Sequence, residues 1–197
     1  MRLGLPGILS LAALALNACA WMSDQDPSPP PQPSFYRSLA APGAALDALA
    51  AASMISGYRQ NNGLPPVTVD PVLMSMAQDQ SRVMAARNVL DHSAGRSFQE
   101  RLRASGFDAK VAAENISAGY YTLAEAFSGW RDSPPHRANM LLAGASRMGI
   151  AAAYAPGTKY KVFWALILAA PAGVQQQAAL GALPPRAIRL DAAPPPH

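Results

Sequence analysis

Two of the chain's three histidines, His92 and His136, lie on either side of Glu114 in a sequence that is 50 % hydrophobic and only 14 % charged. Two imidazoles and a carboxylate can do several kinds of chemistry. Neutral imidazole nitrogens suit zinc or copper. Glu114 would then be a third ligand, or the acceptor that orients a ligating histidine. Without metal, the same groups could act as general acid and base, or line a polar cleft. A carboxylate between imidazoles would raise their pKa values. Spacing alone does not assemble a metal motif, since there is no His-Glu-x-x-His and no Cys/His ladder. On that count structural or surface histidines are the plainer reading.

Nearby residues could join such a site. Ser93 adjoins His92, and Ser133 stands three before His136, so either could be drawn as a nucleophile beside a base. No Gly-x-Ser-x-Gly elbow accompanies them. A serine before proline, as in Ser133-Pro134, reads as a helix N-cap. Arg137, next to His136, would hold an anionic group at the cleft. Glu125 reads as the last residue of a capping box, Thr122-Leu123-Ala124-Glu125. Arg101 and Arg103 read as a solvated helix face, and Trp130 as core.

The elements that must position these residues follow from periodicity and punctuation. Ala48, Ala51, Ile55 and Tyr58 predict a helix over 45–61, stopped by Asn61-Asn62-Gly63. Asp70-Pro71 opens a second helix, with Leu73, Ala77, Gln80 and Met84 on one face. His92 falls in the loop that follows. Ser97-Phe98-Gln99-Glu100 is a capping box, and its helix buries Phe98 and Leu102 before stopping at Gly106. Val111–Ile116 predicts a short strand carrying Glu114. Leu123, Phe127 and Trp130 then mark a buried helix face. Residues 147–154 and 159–169 predict a hairpin around Ala155-Pro156-Gly157-Thr158. Its second strand is apolar on both faces, so it is covered from both sides.

The two ends differ from this. Residues 3–18 are uncharged and mostly apolar after Arg2. As a helix they would span ~24 Å, short of the ~30 Å hydrocarbon core, which favours a signal peptide. Leu16-Asn17-Ala18-Cys19 resembles a bacterial lipobox, although Asn17 departs from the usual residue there. Cys19 is the only cysteine, which excludes an intrachain disulfide and points to lipidation by palmitate-type acyl chains. The alternative is ordinary signal cleavage with Cys19 a bystander. Ala20 follows it, where an aspartate would argue against the outer membrane in many diderm bacteria. Residues 19–45 read as a tether, with Pro27–Pro33 in polyproline II. Residues 172–197 read as a disordered Ala/Gln/Pro-rich tail. The net charge of +4 forms no basic run, so nucleic acid is excluded as a partner.

Glu114-Asn115-Ile116, Trp130 and Ser133-Pro134-Pro135-His136-Arg137-Ala138-Asn139-Met140-Leu141, with His92-Ser93 before them, resemble the bacterial branch of the CAP superfamily. That superfamily groups cysteine-rich secretory, antigen 5 and pathogenesis-related 1 proteins. The resemblance extends to Tyr58–Pro66 and to Met148-Gly149-Ile150, and covers 46–171. It implies an α+β fold, an α-β-α sandwich with a small antiparallel sheet between helices. It also implies a central cavity lined by two histidines and two acidic residues, which binds divalent metal in some members. His92 and Glu114 match two of these. His136 matches the second histidine, by its spacing to Gly149. The fourth position, three residues after Trp130, is Ser133 here, and Pro135 stands where bacterial members carry glycine.

What this implies is an exported lipoprotein of the bacterial envelope, held in a membrane by Cys19. Its domain needs no cofactor to fold, with a zinc ion at His92 and His136 as the metal alternative. The expected role is non-catalytic binding of a small lipid-like or cell-wall ligand in a cleft formed by His92, Glu114 and His136, with Ser133 and Arg137 at its lining. The alternative is a hydrolase or protease, metal-assisted or not, in which Glu114 is the general base.

Overall fold

A strand that is apolar on both faces has to be covered twice, and Val162 through Ala170 are all buried. The computed structural model describes residues 32–173. The signal segment, Cys19, most of the proline-rich stretch and all but two residues of the tail lie outside them. In chain order the elements are α1 (Ala48–Asn61), β1 (Thr68–Val69), α2 (Pro71–Arg87), α3 (Phe98–Ser105), β2 (Ala109–Ala118), α4 (Leu123–Asp132), α5 (Pro134–Met140), β3 (Arg147–Tyr154) and β4 (Val162–Pro171). The sheet order is β1-β3-β4-β2, with β4 antiparallel to both neighbours.

Helices cover both faces, so the fold is the α-β-α sandwich expected. On one side Leu73, Met76 and Met84 of α2 pack on Phe163, Ile167 and Ile116, with Phe98 and Leu102 of α3 at the margin. On the other, Ile55 of α1, Leu123 and Trp130 of α4 and Met140 of α5 pack on Trp164, Leu166, Met148 and Ile150. Trp130 and Trp164 meet edge to face, ring centres 6.2 Å apart. One expectation needs correction: the sheet is not wholly antiparallel. A two-residue strand, β1, pairs parallel with Arg147 and Met148. It is too short for any alternation to reveal.

The caps explain where the helices begin. Asp70 accepts hydrogen bonds from the N–H groups of Val72 and Leu73, with Pro71 at the first helical position. Ser97 with Glu100, and Thr122 with Glu125, form complete capping boxes. Glu125 is thereby a cap, as its sequence position indicated. Helix α1 starts at Ala48 rather than 45, because the Asp47 carboxylate caps it at Ala50. The same carboxylate accepts from the Ser34 hydroxyl at 2.9 Å. Leu39 is buried and its N–H donates to Tyr121 O. Residues from Ser34 onward, read as tether from their prolines, thus pack on the domain through Phe35 and Leu39.

Arg59 of α1 is fully buried and donates to the carbonyls of Pro65, Met140, Leu142 and Ala145. It ties α1 to the loop that leads from α5 into β3. Gly149 of β3 lies directly under α2. A Cβ there would come 2.1 Å from the backbone carbon of Leu73, a contact that no side-chain rotation relieves. Gly149→Ala must therefore push α2 off the sheet. We expect a loss of about 3 kcal/mol or more in urea unfolding, at the upper end for overpacking.

Candidate functional site

Glu114 sits on β2, the edge strand, paired with Ile167 of β4. Ile167 belongs to the α2–α3 side of the core, so the Glu114 side chain points to that side. Only 1 % of that side chain is exposed. A carboxylate buried so deeply needs compensating charge and hydrogen bonds. Arg101 of α3 supplies the charge: its Nη2 lies 2.9 Å from Oε1 and 2.8 Å from Oε2. The Nδ1 atom of His92 lies 2.8 Å from Oε1. Arg101 was read as solvated, and the structure corrects that, since its side chain is only 12 % exposed. Arg103 does remain exposed.

The His92 loop is held by its backbone. Gln80 of α2 donates from Nε2 to the carbonyls of Asp91 and His92, at 2.8 and 3.3 Å. Arg101 Nη2 donates to the His92 carbonyl as well, at 3.1 Å. Gln80 shares the buried face of α2 with Leu73 and Met84. A glutamine on an apolar face was the available signal that something polar had to meet it. The His92 side chain itself is 51 % exposed, so its Nε2 edge is open to a ligand.

His136 arrives from the other side of the sheet. Asn115, next to Glu114, pairs with Leu166 and so faces α4 and α5. Its Nδ2 donates to the His136 carbonyl at 2.9 Å. Asn139, one turn further along α5, donates to Asn115 Oδ1 at 2.9 Å and to the Glu114 carbonyl at 3.2 Å. Adjacent residues of one edge strand thus anchor the two histidine-bearing segments from opposite faces. Burial, and secondarily the charge on His92, push the His136 pKa below the ordinary imidazole value. For His136 this reverses the expected upward shift, because Glu114 is turned toward Arg101 and His92.

The remaining expectations divide. Ser133 stands at the N-cap position of α5, but its side chain makes no capping bond. Its carbonyl accepts from Arg137 N at 2.8 Å instead. Arg137 is exposed, and its charge adds to the stronger effect of Arg131 in holding Asp132 below the usual carboxylate range. A metal centre fits poorly. Among the described residues, no three His, Cys, Asp or Glu side chains come together to hold an ion. Both Glu114 oxygens already accept hydrogen bonds, leaving two imidazoles as free protein donors.

With the fold and this geometry in view, the chain proves to belong to the cysteine-rich secretory protein (CAP) family, whose model matches residues 52–168. It is similar to the uncharacterized protein YkwD of Bacillus subtilis, 33 % identical over 100 residues. That match takes in 49 % of this chain and 38 % of the relative, so well under half of the relative's length is represented. Among solved structures, an extracellular protein of Bacillus anthracis containing an SCP domain aligns with a TM-score of 0.54 at 22 % identity. The alignment covers 62 % of this chain and 39 % of that one. An outer surface protein of Borrelia burgdorferi aligns with a TM-score of 0.57 at 15 % identity, covering 63 % and 92 %.

The two arginines of α3 separate the buried pair from the surface. Arg101→Met leaves the buried carboxylate without its cation, and we expect a loss of about 3 kcal/mol. Arg103→Met should stay within about 0.5 kcal/mol of the parent. Urea unfolding of both variants at neutral pH checks the contrast, and equal effects would return Arg101 to the surface.

Proposed function

We propose that the protein is an exported, envelope-anchored module that binds a small lipid-like or cell-wall ligand without transforming it. The ligand would meet the exposed edge of His92 and the His136 imidazole, with Glu114 behind them and Ser133 and Arg137 at the margin. The observation that carries this reading is the state of Glu114. A general base needs a carboxylate free to accept a proton from its substrate. Glu114 is buried, faces Arg101, and has both oxygens occupied by donors. It is placed to orient His92, not to reach a substrate. The hydrolase reading draws on a different observation, the lowered pKa of His136, which keeps that imidazole uncharged and able to accept a proton.

Purified full-length protein, screened against peptide, ester and peptidoglycan substrates with His136→Ala as control, decides between the two. We expect no turnover, a co-purifying small molecule seen by mass spectrometry, and its loss in His136→Ala. Turnover abolished by that substitution would establish the hydrolase instead. In this reading no metal is needed for folding, so treatment with a chelator should leave the melting temperature unchanged.

Export and anchoring rest on the apolar run that ends at Cys19. The Bacillus anthracis and Borrelia relatives, named as extracellular and outer surface proteins, support export. Labelling in the host with a fatty-acid analogue tests the anchor. The label should appear on the parent protein and vanish in Cys19→Ser; equal labelling of both would reject lipidation.

A further inference from the structure

A concavity of about 780 Å³ is lined in part by Arg101, the residue that pairs with Glu114. It runs between α2 and α3. Val72, Met76 and Val83 contribute apolar walls, and Asp79, Arg87 and Arg96 are its charged lining. Arg101 also lines it, but that charge is neutralised by Glu114. The size falls within the range of small-ligand sites. Gly95 brings the chain against one wall: a Cβ there would stand 3.4 Å from Val83 Cγ1. The loop therefore places Arg96 beside the C-terminal half of α2.

The charges in this groove are arranged in order along it. Asp79 lies midway along α2, while Arg87 closes the helix and Arg96 flanks it. Among the described residues, neither Asp79 nor Arg96 is in an ion pair. Arg87 uses one nitrogen on the Ala94 carbonyl and keeps its charge uncompensated. Eight residues of helix separate Asp79 from Arg87, an axial distance of about 12 Å. An extended chain advances about 3.3 Å per residue, so three to four residues span that distance. A simple organic anion would satisfy the arginines and be opposed by Asp79.

We propose that this groove binds a short peptide of three to four residues with free ends. Its ammonium lies at Asp79, its carboxylate at Arg87 and Arg96, and its small side chains on Met76 and Val83. None of His92, Glu114 and His136 lines this groove, and the proposal holds whether or not those three residues bind anything.

Tetra-alanine is the probe, titrated into the full chain by calorimetry and by methyl NMR of Val72 and Val83. Blocking its carboxylate as the amide should weaken binding about tenfold or more, as should Arg96→Ala. In Arg96→Ala the amide and the free acid should bind alike, because the same contact has already been removed. N-acetylation and Asp79→Asn should form a matching pair. Asp79 and Arg96 are both exposed, so unchanged melting temperatures would show that each variant is folded. Three results overturn the proposal. They are equal binding of free and blocked peptides, no saturable binding up to on the order of 10 mM, and tighter binding of octanoate that is insensitive to Asp79→Asn.

Discussion

A carboxylate with almost none of its surface in water has to be neutralised where it stands, and much of this site's arrangement answers that requirement at Glu114. The edge position of β2 leaves one flank of the strand open to other elements. From the α2–α3 side come a guanidinium and an imidazole, both ending on the same carboxylate. From the α5 side comes Asn139, which accepts no part of the charge but takes up the Glu114 carbonyl. Helix α3, the His92 loop and α5 are therefore fixed relative to one strand residue. Helix α3 has no fully buried residue, and α5 has one, Met140.

Choosing arginine as the counter-charge has chemical consequences. A metal ion in its place would draw Glu114 and both histidines into one coordination shell. A guanidinium instead satisfies the carboxylate within the protein, with only one ring nitrogen of His92 added to it. The histidines are then in different states of constraint. His92 has one ring nitrogen committed to Glu114 and the opposite edge in solvent. His136 is half-buried, with its proton affinity lowered by burial and by its neighbour. The two imidazoles therefore differ: one is oriented by a buried carboxylate and the other is weakly basic.

Local rules were the most legible part of the sequence. Asp70-Pro71, Ser97–Glu100 and Thr122–Glu125 each cap the helix that their spacing indicated, and Gly63 and Gly106 take the left-handed backbone where the helices stop. The two-faced apolar run of β4 identified the centre of the fold. Leu102 and Phe127 are only half-buried where core was expected, because each lies at the margin of its cluster. Contacts between distant segments were harder to read. Strand β1 exists only through its pairing with β3, and Leu39 is buried only because Tyr121 and the α4 region receive it. Arg101 could have been found. Residues two apart on a helix point roughly 200° apart, so Arg101 and Arg103 cannot share one solvated face. With Arg103 outward, Arg101 had to face the sheet, and Glu114 was the acid on the strand that follows.

Arg101 belongs both to the Glu114 ion pair and to the lining of the groove. Its Nη2 reaches Glu114 and the His92 carbonyl, and its Nε donates to the Arg96 carbonyl at 3.3 Å. One planar group thus holds the backbone of this loop at two points, His92 and Arg96. Lysine, a point charge on a flexible stem, could balance Glu114 but could not hold both ends of that loop at once. Gln80 reinforces the same loop from α2, whose outer surface forms a wall of the groove. The segment from Asp91 to Arg96 is therefore pinned by two side chains that also line the groove. A shift of α2 against α3 would move the His92 carbonyl and the Arg96 backbone together, because both are tied to Arg101.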